Sequence, residues 1–120
     1  MDKEIFQKRT MDLATRIIQM VNTMPHTDVA KILGNQIVRS SSSVGANYRA
    51  ACRGKSKGDF INKLKIVEEE ADETLFWLDM IESSGIIKGE KLISLKSEMN
   101  EIVCMVVASL KTLRAGNRKS

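Results

Sequence analysis

The sequence predicts an all-α fold: an antiparallel up-down-up-down bundle of four helices. Three observations predict it. Apolar residues recur at steps of three and four through four long segments, which is the period of a helix face and not of a strand. A single proline and an aromatic content of only 4% disfavour the aromatic-rich, turn-rich strands of a sandwich or barrel. The connections between segments are short, and short connections lay successive helices side by side with opposed directions. The chain, residues 1–120, is of a length that suits a single domain with a real core.

The first helix is predicted over about 2–24, with Phe6, Leu13, Ile17, Met20 and Met24 inward and Asp2 and Glu4 at its electropositive start. Thr23 to Asp28 form the turn, which holds Pro25 and the sole histidine, His26, read as a solvated loop residue; Thr27 or Asp28 caps the next helix. The second helix, about 28–52, carries the stretch QIVRSSSSVGANYRAACRGKSKGDF, Gln36 to Phe60, which is small, polar and basic where a bundle helix is usually apolar. Its inward positions are expected at Leu33, Ile37, Ser40, Val44, Asn47 and Ala51, so that a serine and an asparagine enter an apolar seam and must find partners there. Small residues from Ser40 to Ala46 let a neighbouring helix come close.

Ser56 followed by Asp59 resembles a capping box and opens the third helix, about 57–84. Its stripe is Phe60, Leu64, Val67, Ala71, Thr74, Leu78 and Ile81, and Gly85 is its left-handed terminator. The fourth helix, about 89–115, turns Leu92, Leu95, Met99, Ile102, Val106 and Leu113 inward. Cys52 and Cys104 fall within helical patterns and are expected as buried free thiols, not as a metal pair or a disulfide framework.

Charge is segregated. The formal net charge is +4, yet no acid stands between Asp28 and Asp59, where Lys31, Arg39, Arg49, Arg53, Lys55 and Lys57 lie. No base stands between Lys65 and Lys88, and no acid follows Glu101, where Lys111, Arg114, Arg118 and Lys119 lie. Two faces are more apolar than one bundle needs: Ile66, Phe76 and Met80 sit off the core stripe of the third helix, with Trp77 beside it, and Ile102 to Ala108 is apolar nearly all round. Ile66, Phe76, Trp77, Met80, Val103 and Val107 are therefore expected at an interface between copies of the chain.

No apolar run approaches the roughly 20 residues of a membrane span, and the first residues lack the apolar centre of a signal peptide, so a cytoplasmic protein is expected. A nucleophilic triad lacks its histidine, and Gly54 and Gly58 do not make a phosphate loop. Magnesium-dependent nucleotide pyrophosphatases use carboxylates three residues apart, a spacing that Glu70 with Glu73 and Glu98 with Glu101 share with most charged helices. No cofactor, no metal and no catalytic residue is expected.

The segments RSSSSVGANYRAA (39–51), KSKGDFINKL (55–64) and EEADETLFWL (69–78), with Gln36 before them, resemble the bacterial four-helix-bundle proteins encoded by intervening sequences of large-subunit ribosomal RNA genes. The resemblance implies an up-down bundle that assembles into a homo-oligomeric ring, a pentamer, with no established reaction. The acid that usually follows the asparagine segment is Ala50 here. More distantly the chain looks like the accessory variability proteins of diversity-generating retroelements, basic pentameric bundles that bind nucleic acid.

The expected function is that of a non-catalytic oligomer binding RNA or DNA through Arg39, Arg49, Arg53, Lys55, Lys57, Lys111 and Arg114, whose charges can neutralise phosphates. Arg39 and Arg49 carry a second reading, as ion-pair partners of Glu70 or Glu73. The alternative function is an oligomeric module that binds an unidentified protein partner and no nucleic acid.

Overall fold

A computed structural model describes residues 2–119, with side chains through residue 116, so the side chains of Arg118 and Lys119 lie outside the described residues. Four α-helices pack side by side: α1 (Lys3–Val21), α2 (Asp28–Cys52), α3 (Lys57–Ser83) and α4 (Ile93–Lys119), the last preceded by a 3-10 turn, Gly89–Lys91. No strand occurs among the described residues, and the molecule measures 53 × 21 × 21 Å.

Local chemistry sets the helix ends. Asp2 caps α1 by accepting from the Ile5 amide at 3.0 Å, and Thr27 caps α2 by accepting from the Ala30 amide at 3.2 Å. Ser56 Oγ accepts from the Asp59 amide at 3.1 Å, while the Asp59 carboxylate reaches back to the Lys55 amide, one residue earlier than a reciprocal box would place it. Helix α1 stops at Val21, short of Met24, because the proline ring at position 25 bars Met24 from the helical region. Met24 folds under the turn and is buried there. At the end of α3, Gly85 takes φ +74°, and the Ile86 amide returns to the Ile81 carbonyl at 3.2 Å, which closes the helix as a Schellman turn.

The core is one cluster. Phe6, Leu13 and Ile17 of α1 meet Leu33, Ile37, Val44 and Ala51 of α2, the stripe Leu64 to Ile81 of α3, and Leu92, Leu95, Met99, Ile102, Val106 and Leu110 of α4. Helices α2 and α3 share the most extensive contact. Near its middle the Thr74 hydroxyl lies 2.9 Å from Ser40 Oγ and 2.8 Å from the Glu70 carbonyl, so the buried serine is satisfied across the crossing.

Four sequence-based expectations are corrected. Tyr48, not Asn47, completes the α2 seam: at about 100° per residue it lies about 40° from the line through Val44 and Asn47 about 60°. Asn47 is half-buried and satisfies itself on its own helix, donating to the Ser43 carbonyl at 2.9 Å and to Ser43 Oγ at 2.8 Å. Ile61 replaces Phe60 in the α3 core, because the seam opens at that end into a pocket that Phe60 lines. Leu110 replaces Leu113, which packs only partly against the cluster, at the same opening. Cys104 is exposed, since it lies about half a turn round α4 from the buried Ile102 and Val106; Cys52 is half-buried.

Candidate nucleic-acid interface

The four helices bring one end of each to a shared pocket of about 330 Å³, walled by Lys3 of α1, Tyr48 of α2, Phe60 of α3, and Ala108, Ser109, Thr112 and Leu113 of α4. Five of the expected basic residues lie toward the same end of the bundle. Arg53 caps α2, Lys55 lies in the connection to α3, and Lys57 begins α3, its ammonium reaching the last turns of α4 beside Gly116. Lys111 and Arg114 lie on the same turns of α4 but on the side away from the face that Ala108, Ser109, Thr112 and Leu113 present to the pocket. Lys3, Arg53, Lys55, Lys57, Lys111 and Arg114 are exposed, and among the described residues none of them is in an ion pair. The Lys3 ammonium sits 5.1 Å from the centre of the Phe60 ring, over its face.

Arg39 and Arg49, expected alike, part ways. Arg39 binds Glu70 at 3.3 Å and also Glu73, which in turn accepts from Trp77 Nε1 at 2.9 Å. It ties α2 to α3 and leaves the basic set. Arg49 pairs with neither glutamate; it lines a groove of about 450 Å³ between α1 and α2, opposite Lys8 and Met11, floored by Gly45 and Ala46.

The carboxylate pairs that could have held magnesium are likewise committed. Glu70 and Glu73 face Arg39, and Glu98 and Glu101 are held by Arg9, whose Nε lies 2.9 Å from Glu98 and whose Nη2 lies 2.9 Å from Glu101. The hydrogen bond to Glu98 is the main cause that raises the Arg9 pKa above its ordinary value. Among the described residues no group of three or more His, Cys, Asp or Glu side chains is gathered. Among the described residues no helix is long and apolar enough to cross a membrane.

Of the expected interface residues, Phe76 and Met80 are exposed at 52% and 38%, and Ile66, Trp77, Val103 and Val107 are half-buried. Phe76 and Trp77 stack edge to face with centroids 5.0 Å apart. The sequence reading missed Lys3 and Phe60 as pocket residues and Met11 and Ile18 as exposed apolar groups on the α1 side of the groove. The seven-residue step from Met11 to Ile18, one helix face, was the signal for the second pair.

Tyr48 is the buried exception in this polar end. It is fully buried, edge-on to Phe6 at 4.4 Å, and its hydroxyl has no hydrogen-bond partner. Burial pushes its pKa well above the ordinary value, and the neighbouring Cys52 and Asp2 act in the same direction. A folded-state pKa raised above the unfolded one favours the neutral phenol. This contribution is therefore complete below about pH 10 and is lost above it at about 1.4 kcal/mol per pH unit. Absorbance at 295 nm reads the chain's single tyrosine. The expected result is no tyrosinate signal through pH 10 to 11 while the helices persist, and its appearance together with loss of helicity at higher pH; free titration near pH 10 would place the phenol in solvent.

The model of the 23S rRNA-intervening sequence protein family matches residues 2–108. Among solved structures, the chain is similar to a protein of unknown function from the S23 ribosomal protein family of Bacteroides thetaiotaomicron. The TM-score is 0.83 at 31% identity, over 92% of this chain and 99% of that one. No curated protein matches the sequence.

Proposed function

The chain belongs to the 23S rRNA-intervening sequence protein family, and from that premise we propose that it is a non-catalytic, self-assembling bundle that binds nucleic acid at its basic end. The observation that carries this reading is the placement of Lys3, Arg53, Lys55, Lys57, Lys111 and Arg114 toward one end of the bundle from separate parts of the chain, all exposed and none of them in an ion pair among the described residues. Cations free of ion pairs, set at one end of the bundle, present phosphate with several contacts at once, and release of counterions drives such binding. The family's description points to RNA as the first nucleic acid to test.

The bundle is read as antiparallel, up-down-up-down. Thr10 against Gly45 and Val21 against Gly34 pair α1 with α2 in opposite directions, Arg39 with Glu70 and Glu73 joins α2 to α3, and Arg9 with Glu98 and Arg16 with Ser94 do the same for α1 and α4. Self-assembly is supported by complementary faces. The exposed apolar residues Phe76 and Met80 of α3 are bordered by Asp72 and the α1–α2 groove by Arg49, neither of them in an ion pair among the described residues, whereas Glu73, Asp79 and Lys8 are held by Arg39, Lys96 and Asp12. A contact between unlike faces repeats head to tail and makes a ring where the rotation between copies closes; a closed pentamer is our reading. The same exposed Phe76 and Met80 favour a second reading, in which the assembly presents an apolar face to a different protein.

The test is the light-scattering mass of nucleic-acid-free protein, followed by titration with RNA and DNA at several salt concentrations. A mass several times the 13.4 kDa chain is expected, with affinity that falls steeply with salt. The variant carrying Arg53→Gln, Lys55→Gln and Lys57→Gln should lower the salt slope by roughly two to three per bound subunit. Absence of binding at low salt would remove the nucleic-acid reading and favour the protein-partner one.

A further inference from the structure

We infer that the pocket at the basic end seats one unstacked base of a bound single strand, with Phe60 as its stacking face. The inference rests on the nucleic-acid reading and extends it from backbone charge to base contact.

The wall chemistry selects the ligand class. At about 330 Å³ the pocket is at the small end of the range that small-molecule sites occupy, about 300–1,000 Å³. Phe60, Leu113 and Ala108 give it apolar sides, which a bare phosphate would not use. Lys3, Ser109 and Thr112 at the pocket would gain nothing from a purely apolar molecule. A flat heterocycle joined to a phosphate satisfies both kinds of wall: it stacks on an aromatic ring, brings hydrogen-bonding edges, and carries its anion at the rim.

Lys3 links the two functions. Its ammonium lies over the face of Phe60, the position a stacked base would take. A strand phosphate at the rim attracts the ammonium more strongly than the ring quadrupole does, so backbone binding uncovers the face on which the base then stacks.

The test compares a twelve-nucleotide oligothymidylate with an abasic strand of the same length, which carries the same phosphates and no bases. The full-length protein should bind the base-bearing strand roughly 5- to 100-fold more tightly, with similar salt slopes for the two. Phe60→Leu keeps an apolar residue of similar bulk and should remove most of that preference while leaving the salt slope unchanged. Lys3→Gln should lower the slope by about one and keep a preference for bases. Equal binding of the two strands, or a preference that survives Phe60→Leu in folded protein, would overturn the inference and leave the backbone reading intact. Failure of the protein to bind either strand at low salt would overturn both.

Discussion

Phe6→Ala is expected to lower the melting temperature by roughly 10 to 20 °C, the largest stability effect of a single truncation outside the α2–α3 crossing. Phe6 is wholly buried where α1 meets α2, edge-on to Tyr48 at 4.4 Å, in the part of the core nearest the pocket. Truncating a buried phenylalanine costs about 3–5 kcal/mol, because transfer energy is lost and the space left does not fully collapse. For a chain of this length, unfolding entropy converts each kcal/mol to about 4 °C. Against a typical stability of about 5–15 kcal/mol, that is a large share.

The orphaned phenol gives this prediction a second readout. Tyr48→Phe alone removes a buried hydroxyl without a partner and should raise stability by about 1 kcal/mol or leave it unchanged. In the Phe6→Ala background the new cavity borders Tyr48, and water entering it can satisfy the hydroxyl, so Tyr48→Phe should lose its benefit there. Denaturant unfolding of the four proteins measures this coupling. A Phe6→Ala loss below about 1 kcal/mol would mean that α1 is not anchored through this ring.

How far each feature was legible in the sequence depends on the range of its physical cause. Helix caps, the Gly85 terminator and the core stripe of α3 depend on residues within a few positions of one another, and a reader of the chain has all of them in view. The α2 seam failed at one step because both Asn47 and Tyr48 stand at helical spacing from Val44, and polarity does not choose between them when the buried tyrosine leaves its hydroxyl unsatisfied. The basic end was legible as charge but not as a place. Lys3 and Phe60 lie 57 positions apart, and only the packing of α1 and of α3 against their shared neighbours α2 and α4 sets them together over one pocket. Arg39 and Arg49 looked equivalent as cations on one helix. They separate because α3 puts Glu70 and Glu73 within reach of the first, while the second faces the groove beside α1.

Ser40→Leu is the second large effect, and its sign runs against the binary pattern. Leucine at this position would turn the α2 seam into an uninterrupted apolar stripe, and burying its side chain would by itself contribute about 1.5–3 kcal/mol. Yet Ser40 is already fully buried at the closest-packed helix pair, with Ala71 and Thr74 also fully buried on α3. Extra methylenes in a filled core force side chains off their rotamers and push helices apart, at a cost of about 1–3 kcal/mol or more beyond what transfer returns. A drop in melting temperature of roughly 5 to 12 °C is expected. Loss of the hydroxyl is the smaller part, because Thr74 keeps its bond to the Glu70 carbonyl; Ser40→Ala should therefore cost about 1 kcal/mol or less. Pairing Ser40→Leu with Thr74→Ala separates the causes. If volume is the problem, making room on α3 should recover stability, and the double variant should unfold at a higher temperature than Ser40→Leu alone. If the hydroxyl pair were the main contribution, the second substitution would add to the loss, and the run of small residues in α2 would owe its place to hydrogen bonding and not to the close approach of α3.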